Sequence, residues 1–217
     1  MKKIIQFIFL SFIILLAACN KDDINNTESK VGISRVTNFP LLSLNGERYV
    51  TIIVGGTYTE AGAVATEAGA DIPVTTNGSV NTAIPGVYTL TYSAVNKDGF
   101  SASVTRTVVI YSTDASATAN DLSGNYARTS NGSVSTWTKL APGVYKVFNP
   151  GGAPGTNVTV IAINPTGFTI KIPVQPIGDG TPMSSSDELY TNSVPAKYSW
   201  KIVNQGYGTA LRNFVKQ

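Results

Sequence analysis

The chain has 217 residues, 13% of them charged, with 20 glycines, 11 prolines, 10 tyrosines, a single cysteine and no histidine. With no imidazole and one thiol there is no Ser-His-Asp or Cys-His machinery, no His/Cys zinc site and no disulfide framework, so a carboxylate pair, a lysine or a tyrosine is all that remains for catalysis. Residues 20–119 carry nine acidic and six basic side chains (net −3) and residues 120–217 carry four and eight (net +4), an excess too small and dispersed to read as nucleic-acid binding.

The chain opens on Met1-Lys2-Lys3, followed by an apolar stretch from Ile4 to Ala18 and then Cys19. A basic start, an apolar run and small residues before the cleavage point are the layout of a secretory signal. The stretch is 15 residues long and is interrupted by Gln6 and Ser11, whereas a membrane-spanning helix needs roughly 20 apolar residues. Leu16-Ala17-Ala18-Cys19 resembles a bacterial lipobox. That resemblance implies cleavage before Cys19, diacylglycerol on its sulfur and attachment through more than one acyl chain, the condition for durable anchoring. Residues 1–19 are therefore expected to be a lipoprotein signal, with Cys19 the lipidated residue. Residues 20–35 are polar, charged and without periodicity, and predict a flexible tether. Lys21-Asp22-Asp23 resembles the surface-export signal of Bacteroidetes lipoproteins, which implies an outer-membrane protein facing outward; a plain solvated linker is the alternative.

From 36 to 111 the pattern is one of short strands. Tyr49 to Val54 is apolar and β-branched, Gly55-Gly56 interrupts it, and Thr57-Tyr58-Thr59 is expected to resume. In Val87 to Ala94, Tyr88, Leu90, Tyr92 and Ala94 share one face opposite Val87 and three hydroxyl residues, which predicts a strand with one face buried. Asn96-Lys97-Asp98-Gly99 supplies a turn, and Ala102 to Tyr111 is the returning strand. Gly55 to Ala63, Gly86 to Asn96 and Arg106 to Ile110, in that order, resemble a bacterial immunoglobulin-like domain of the kind repeated in surface lipoproteins and pesticidal crystal proteins. The resemblance implies a β-sandwich acting as a spacer or interaction module. Asn96, Phe100 and the weakly acidic loop Glu67-Ala68-Gly69-Ala70-Asp71 depart from the family pattern, which argues against a cation in these loops.

Residues 112–119 are small and polar and mark a linker. Beyond it, seven strands are predicted at Gly124–Arg128, Val134–Leu140, Val144–Phe148, Val158–Ile163, Phe168–Pro173, Tyr198–Val203 and Tyr207–Val215, with a long Pro/Gly/Ser loop from Gln175 to Asp187. The expectation is an all-β chain: an immunoglobulin-like sandwich followed at 120–217 by an antiparallel barrel or sandwich. Asp121-Leu122-Ser123-Gly124-Asn125-Tyr126, Gly151-Gly152-Ala153-Pro154 and the ending Asn204 to Lys216 resemble the C-terminal domain of Bacteroidetes lipoproteins, some of them associated with polysaccharide-utilisation loci.

A non-catalytic sugar site needs aromatic faces for pyranose rings and polar side chains for hydroxyls, with no cofactor and no metal. Trp137 shares strand parity with Ser133, Ser135 and Lys139, which predicts that it faces solvent. Tyr145, across the Ala141-Pro142-Gly143 turn, is expected beside it. Trp137, Tyr145 and Lys139 are therefore the expected ligand-binding residues, while Trp200 with Tyr198 and Ile202, and Phe168 with Ile170 and Ile172, read as core. The glycine-rich run Pro150 to Gly155 lacks the trailing lysine and helix of a phosphate loop. Asp187-Glu188 reads as a solvated acidic loop. The expected function is binding of a polysaccharide or oligosaccharide without catalysis; the alternatives are a structural subunit of an outer-membrane transporter complex with no ligand of its own, and a hydrolase of unrecognised type.

Overall fold

A computed structural model describes residues 37–217; the expected signal, Cys19 and the tether lie outside them. Residues 38–217 form one compact unit, almost wholly of strands. Its first half is a two-sheet sandwich. Strands β1 (Leu41–Leu44), β3 (Ala63–Glu67) and β4 (Ala70–Ile72) form one antiparallel sheet, and β2 (Tyr49–Ile53), β7 (Ser101–Tyr111), β6 (Gly86–Val95) and β5 (Thr75–Asn77) form the other, in the order β2-β7-β6-β5. The β6–β7 hairpin is paired without interruption from Gly86↔Ile110 to Val95↔Ser101, and β2 lies parallel to β7.

The predicted alternation in β6 holds, because Leu90, Tyr92 and Ala94 are buried on one face. Gly99 closes the hairpin at φ +87°, a left-handed value that side chains with a Cβ avoid. The expected resumption at Thr57-Tyr58-Thr59 is not a strand. Those residues lead instead into a polar cluster: Arg106, 1% exposed, donates to the Glu60 carboxylate, to Tyr92 Oη at 3.0 Å and to the Glu47 carbonyl at 3.1 Å, and Tyr58 and Tyr92 also donate to Glu60. A buried guanidinium is tolerable only when paired and hydrogen-bonded, and here it ties loop 45–62 to β7.

The second half is one curled sheet of nine antiparallel strands, a half-barrel. Its members are β8 (Gly124–Arg128), β9 (Val134–Ala141), β10 (Val144–Phe148), β11 (Thr159–Thr166), β12 (Thr169–Lys171), β13 (Gln175–Pro176), β14 (Pro182–Thr191), β15 (Lys197–Val203) and β16 (Arg212–Lys216), in the order β12-β11-β10-β9-β8-β16-β15-β14-β13. The curl brings β12 back towards β14: the Ser185 N–H donates to the Ile172 carbonyl at 3.2 Å, and the Ile172 N–H donates to the Ser185 hydroxyl at 2.7 Å. The Gln175 side chain does the work of a missing strand on β11, accepting from the Ile161 N–H and donating to its carbonyl, both at 2.7 Å. Exposed edges of this kind otherwise recruit other chains.

Strand β14 occupies ten residues where the sequence predicts mostly loop. Its period-two pattern is broken by a bulge between Ser186 and Leu189, with Asp187 at φ +52°, so Met183 and Tyr190 both face inward although their spacing is odd. Asp187 and Glu188 therefore sit in a strand: Asp187 pairs with Lys201 at 2.8 Å, and Glu188 accepts from the Ser185 hydroxyl at 2.6 Å.

The segment between the halves is held at both ends. A one-turn helix α1 (Ala115–Thr118) is capped by Asp114, whose carboxylate accepts the Ala117 N–H at 3.0 Å. Thr113 donates to the Asn164 carbonyl at 2.8 Å, the Asp114 N–H to the Pro165 carbonyl at 3.0 Å, and Ser116 accepts the Gly167 N–H at 2.8 Å. Beneath these bonds Val109, Tyr111, Val144 and Ile161 form a shared apolar cluster.

Candidate functional site

The half-barrel encloses an aromatic core. Tyr126, Trp137, Tyr145, Tyr198, Trp200 and Phe214 are all at most 3% exposed. Trp137 stacks on Trp200 with ring centroids 5.4 Å apart, meets Tyr145 edge-on at 5.7 Å and donates from Nε1 to Tyr198 Oη at 3.2 Å.

This overturns the expected ligand platform. Ser133, Ser135 and Trp137 share a face as predicted, but that face is the inner one. In a tightly curled sheet the small side chain of Ser135 makes room for the rings beside it, whereas Val134, Thr136 and Thr138 occupy the roomier outer surface. Tyr145 is indeed close to Trp137, but wholly buried, its hydroxyl donating to the Asn120 carbonyl at 3.1 Å and accepting the Leu122 N–H at 3.3 Å. Lys139, opposite Tyr145 in register, is exposed and shares no surface with either ring. Trp200 is core as expected. Phe168 is not: it lies in the turn before β12, outside the alternation that buries Ile170 and Ile172, and is 74% exposed.

A surface that can hold a ligand lies on the outer face of β14 and β15. There Ser184 stands opposite Val203 and Ser186 opposite Lys201, and the loop from Asn204 to Thr209 rises beside them as a wall. The resulting groove has a volume of about 530 Å³, within the range of small-molecule sites. Asn204 builds the wall: its side-chain amide donates to the Pro182 carbonyl at 2.9 Å and to the Thr181 hydroxyl at 3.0 Å, and it accepts the Gly206 N–H at 2.9 Å. Val203 and Pro182 supply apolar surface, and Ser184, Ser186, Gln205 and Thr209 supply hydroxyl and amide groups. Lys201 lies on the floor with its charge balanced by Asp187, whose carboxyl it holds below the ordinary aspartate value by hydrogen bonding and charge.

Tyr207 is the aromatic residue of this groove. Its ring packs against Gly151, where a Cβ would collide with it, and the Arg212 guanidinium lies 5.4 Å from its centroid. Gly151 belongs to the run Pro150 to Gly155, which serves to close one end of the half-barrel: Trp200 Nε1 donates to the Pro150 carbonyl at 2.8 Å and Asn131 to that of Gly152 at 3.0 Å. The sequence pattern predicts a strand from Tyr207 to Val215, but Tyr207 lies in the loop before β16. The signal against that was its setting, Gly206-Tyr207-Gly208, a single ring between two residues that favour loops.

Among the described residues no three acidic, histidine or cysteine side chains converge on one point, and no helix is long and apolar enough to cross a membrane.

Residues 42–110 match the family model for the Ig-like domain of bacterial surface proteins. The match covers the first half of the compact unit and less than half of the chain. Among solved structures, a lipoprotein from Bacteroides thetaiotaomicron is similar at 24% sequence identity, over 82% of this chain and 100% of that one, with a TM-score of 0.41. No curated protein matches.

Proposed function

We propose that this is a lipid-anchored protein of the bacterial outer surface that binds a glycan without catalysis, using the β14–β15 groove, with the Ig-like domain as its spacer. The groove is the observation that carries the reading. Its shallow apolar floor, one aromatic wall residue and several hydroxyl and amide groups are what a saccharide needs, namely a flat face for ring C–H groups and partners for its hydroxyls. Surface display is supported by the family match at 42–110 and by the lipobox-like run ending at Cys19. Calorimetry of the purified protein against a panel of oligosaccharides tests the binding. Titration with a ligand of the panel should be weakened about tenfold or more in Gln205→Ala combined with Ser184→Ala, since each lost hydrogen bond to a buried partner costs about 1 kcal/mol or more. Silence across the panel would favour the structural-subunit alternative. Incorporation of labelled palmitate that disappears in Cys19→Ala tests the anchor.

A further inference from the structure

Behind Tyr207 lies an arrangement that the glycan reading alone does not explain. Arg128 of β8 and Arg212 of β16 come from neighbouring strands and share the inner face with Tyr126 and Phe214. Arg212 is 7% exposed, yet its guanidinium has one hydrogen bond, to the Ala210 carbonyl at 3.0 Å, besides its contact with the Tyr207 ring. Arg128 makes only long contacts, to the Gly151 and Gly152 carbonyls at 3.4 and 3.3 Å. The Nε atoms of both are buried without a partner. Ion pairs among the described residues join Lys97 to Glu67, Arg106 to Glu60 and Lys201 to Asp187, so neither arginine has a carboxylate.

The contrast with Arg106 shows what is missing. Arg106 is as deeply buried, but it meets a carboxylate, a phenol and three backbone carbonyls. On the inner face of β8 and β16 two guanidinium groups with ten N–H donors between them have three carbonyl contacts. Burial and then the charge of Arg128 push the Arg212 guanidinium below its ordinary value. An uncompensated buried cation is among the costliest arrangements a fold can carry, and an oxyanion bound in the guanidinium fork offsets it.

We propose that Arg212 and Arg128 form an oxyanion subsite at the Tyr207 end of the groove, taking the carboxylate or sulfate group of an acidic glycan when the Tyr207 ring swings aside. The geometry provides the route, since Tyr207 both lines the groove and covers Arg212, is flanked by Gly206 and Gly208, and is held at its hydroxyl by one 3.4 Å contact with Thr156. The proposal rests on the glycan reading of the groove and adds the class of sugar.

The test is calorimetry of the purified protein at low and high salt with acidic oligosaccharides (galacturonate, mannuronate and chondroitin sulfate), each against a neutral or desulfated counterpart of the same length, and with inorganic sulfate. At least one acidic oligosaccharide should bind about tenfold or more tighter than its counterpart, the preference should shrink as salt rises, and Arg212→Gln should abolish it. Because Arg212→Gln can also disturb folding, Tyr207→Ala provides a second arm: with both arginines intact and uncovered it should keep the preference while weakening neutral sugars. In the unmodified protein, the Nε–Hε NMR resonances of Arg128 and Arg212 should move on titration with the acidic sugar. Equal affinity for acidic and neutral members, a preference that survives Arg212→Gln in a folded variant, or unmoved arginine resonances would overturn the subsite and leave the groove reading standing. Inorganic sulfate binding as tightly as the acidic sugar would also overturn it. No binding of any saccharide would overturn both.

Discussion

Replacing Trp137 by alanine separates a core ring from a ligand platform. The side chain is 2% exposed and touches Trp200, Tyr198, Tyr145 and Tyr126 at centroid distances of 5.4, 5.1, 5.7 and 6.0 Å. A buried tryptophan removes roughly 200 Å² from water, which at about 25 cal/mol per Å² is worth about 5 kcal/mol. The substitution also removes the donor that Tyr198 Oη accepts at 3.2 Å, about 1 kcal/mol more, while partial collapse of the neighbouring rings returns some of the loss. The expected destabilisation is about 4–5 kcal/mol, the upper part of the range for aromatic truncations in cores and a large share of the roughly 5–15 kcal/mol that holds a domain together. Trp137→Phe, which keeps a ring and loses the N–H, should cost about 2 kcal/mol, and Lys139→Ala, on the exposed surface, under about 0.5 kcal/mol. Urea unfolding followed by far-UV circular dichroism, with the m-value checked for constancy, measures all three. If Trp137→Ala unfolds within about 1 kcal/mol of the parent and loses sugar binding, the ring acts at the surface and the core argument fails.

Glu60→Gln should destabilise the first half by about 1–2 kcal/mol, discounted because the Glu60 side chain is 34% exposed. Burial raises the Glu60 carboxyl, but hydrogen bonds from Tyr58, Tyr92 and the Gly62 N–H, with the charge of Arg106, overcome it and hold the group below its ordinary value. The folded value being the lower one, this stabilisation is complete above the ordinary glutamate range and is lost as pH falls through the folded value; hydrogen exchange in β6 and β7 should speed up there in the parent, and much less in Glu60→Gln. Gln175→Leu should cost about 2 kcal/mol, read by thermal melting, because it leaves both the N–H and the carbonyl of Ile161 unpaired. Asn164→Ala removes two carbonyl contacts to Thr166 and Thr169 and the acceptor for Asn120. It should cost about 3 kcal/mol in a urea titration and loosen the junction between the halves, seen as a broader solution-scattering distance distribution.

The strands were legible where polarity alternates and the turn chemistry is explicit. In β6 the residues Leu90, Tyr92 and Ala94 announce their face, and Asn96 to Gly99 announce the hairpin. In β14 neither signal is present. Serines fill three consecutive positions, and the bulge at Asp187 shifts the phase between Met183 and Tyr190, so no single period describes the strand. Parity also had a blind side. It placed Ser135 and Trp137 together but did not say which side of the sheet was inside, because in a curled sheet the concave face takes few but large side chains with small ones between them, and the more numerous Val and Thr residues lie outside. The groove was hidden for a related reason: its wall is the 204–209 loop folding back on β14, a contact between segments about 20 residues apart that depends on how Asn204 bonds to Pro182 and Thr181.

Those same bonds determine what the groove can present. Asn204 anchors the wall at its base through its side chain, its backbone carbonyl accepts the Tyr207 N–H at 3.1 Å, and the Tyr207 ring packs against Gly151. Floor and wall then differ in make-up: Val203 and Pro182 form an apolar surface, and the Tyr207 ring stands in the wall with the Arg212 guanidinium 5.4 Å from its centroid. The junction between the halves is held by bonds and packing of its own. Thr113, Asp114 and Ser116 are all bonded to the stretch from Asn164 to Gly167, and Val109, Tyr111, Val144 and Ile161 are packed beneath them, so rotation between the two halves would break hydrogen bonds and expose apolar surface at once. The candidate groove is thus built on a scaffold whose two halves are fixed to each other, so its lining is set by the β14–β15 pairing and the 204–209 loop and not by rotation at the junction.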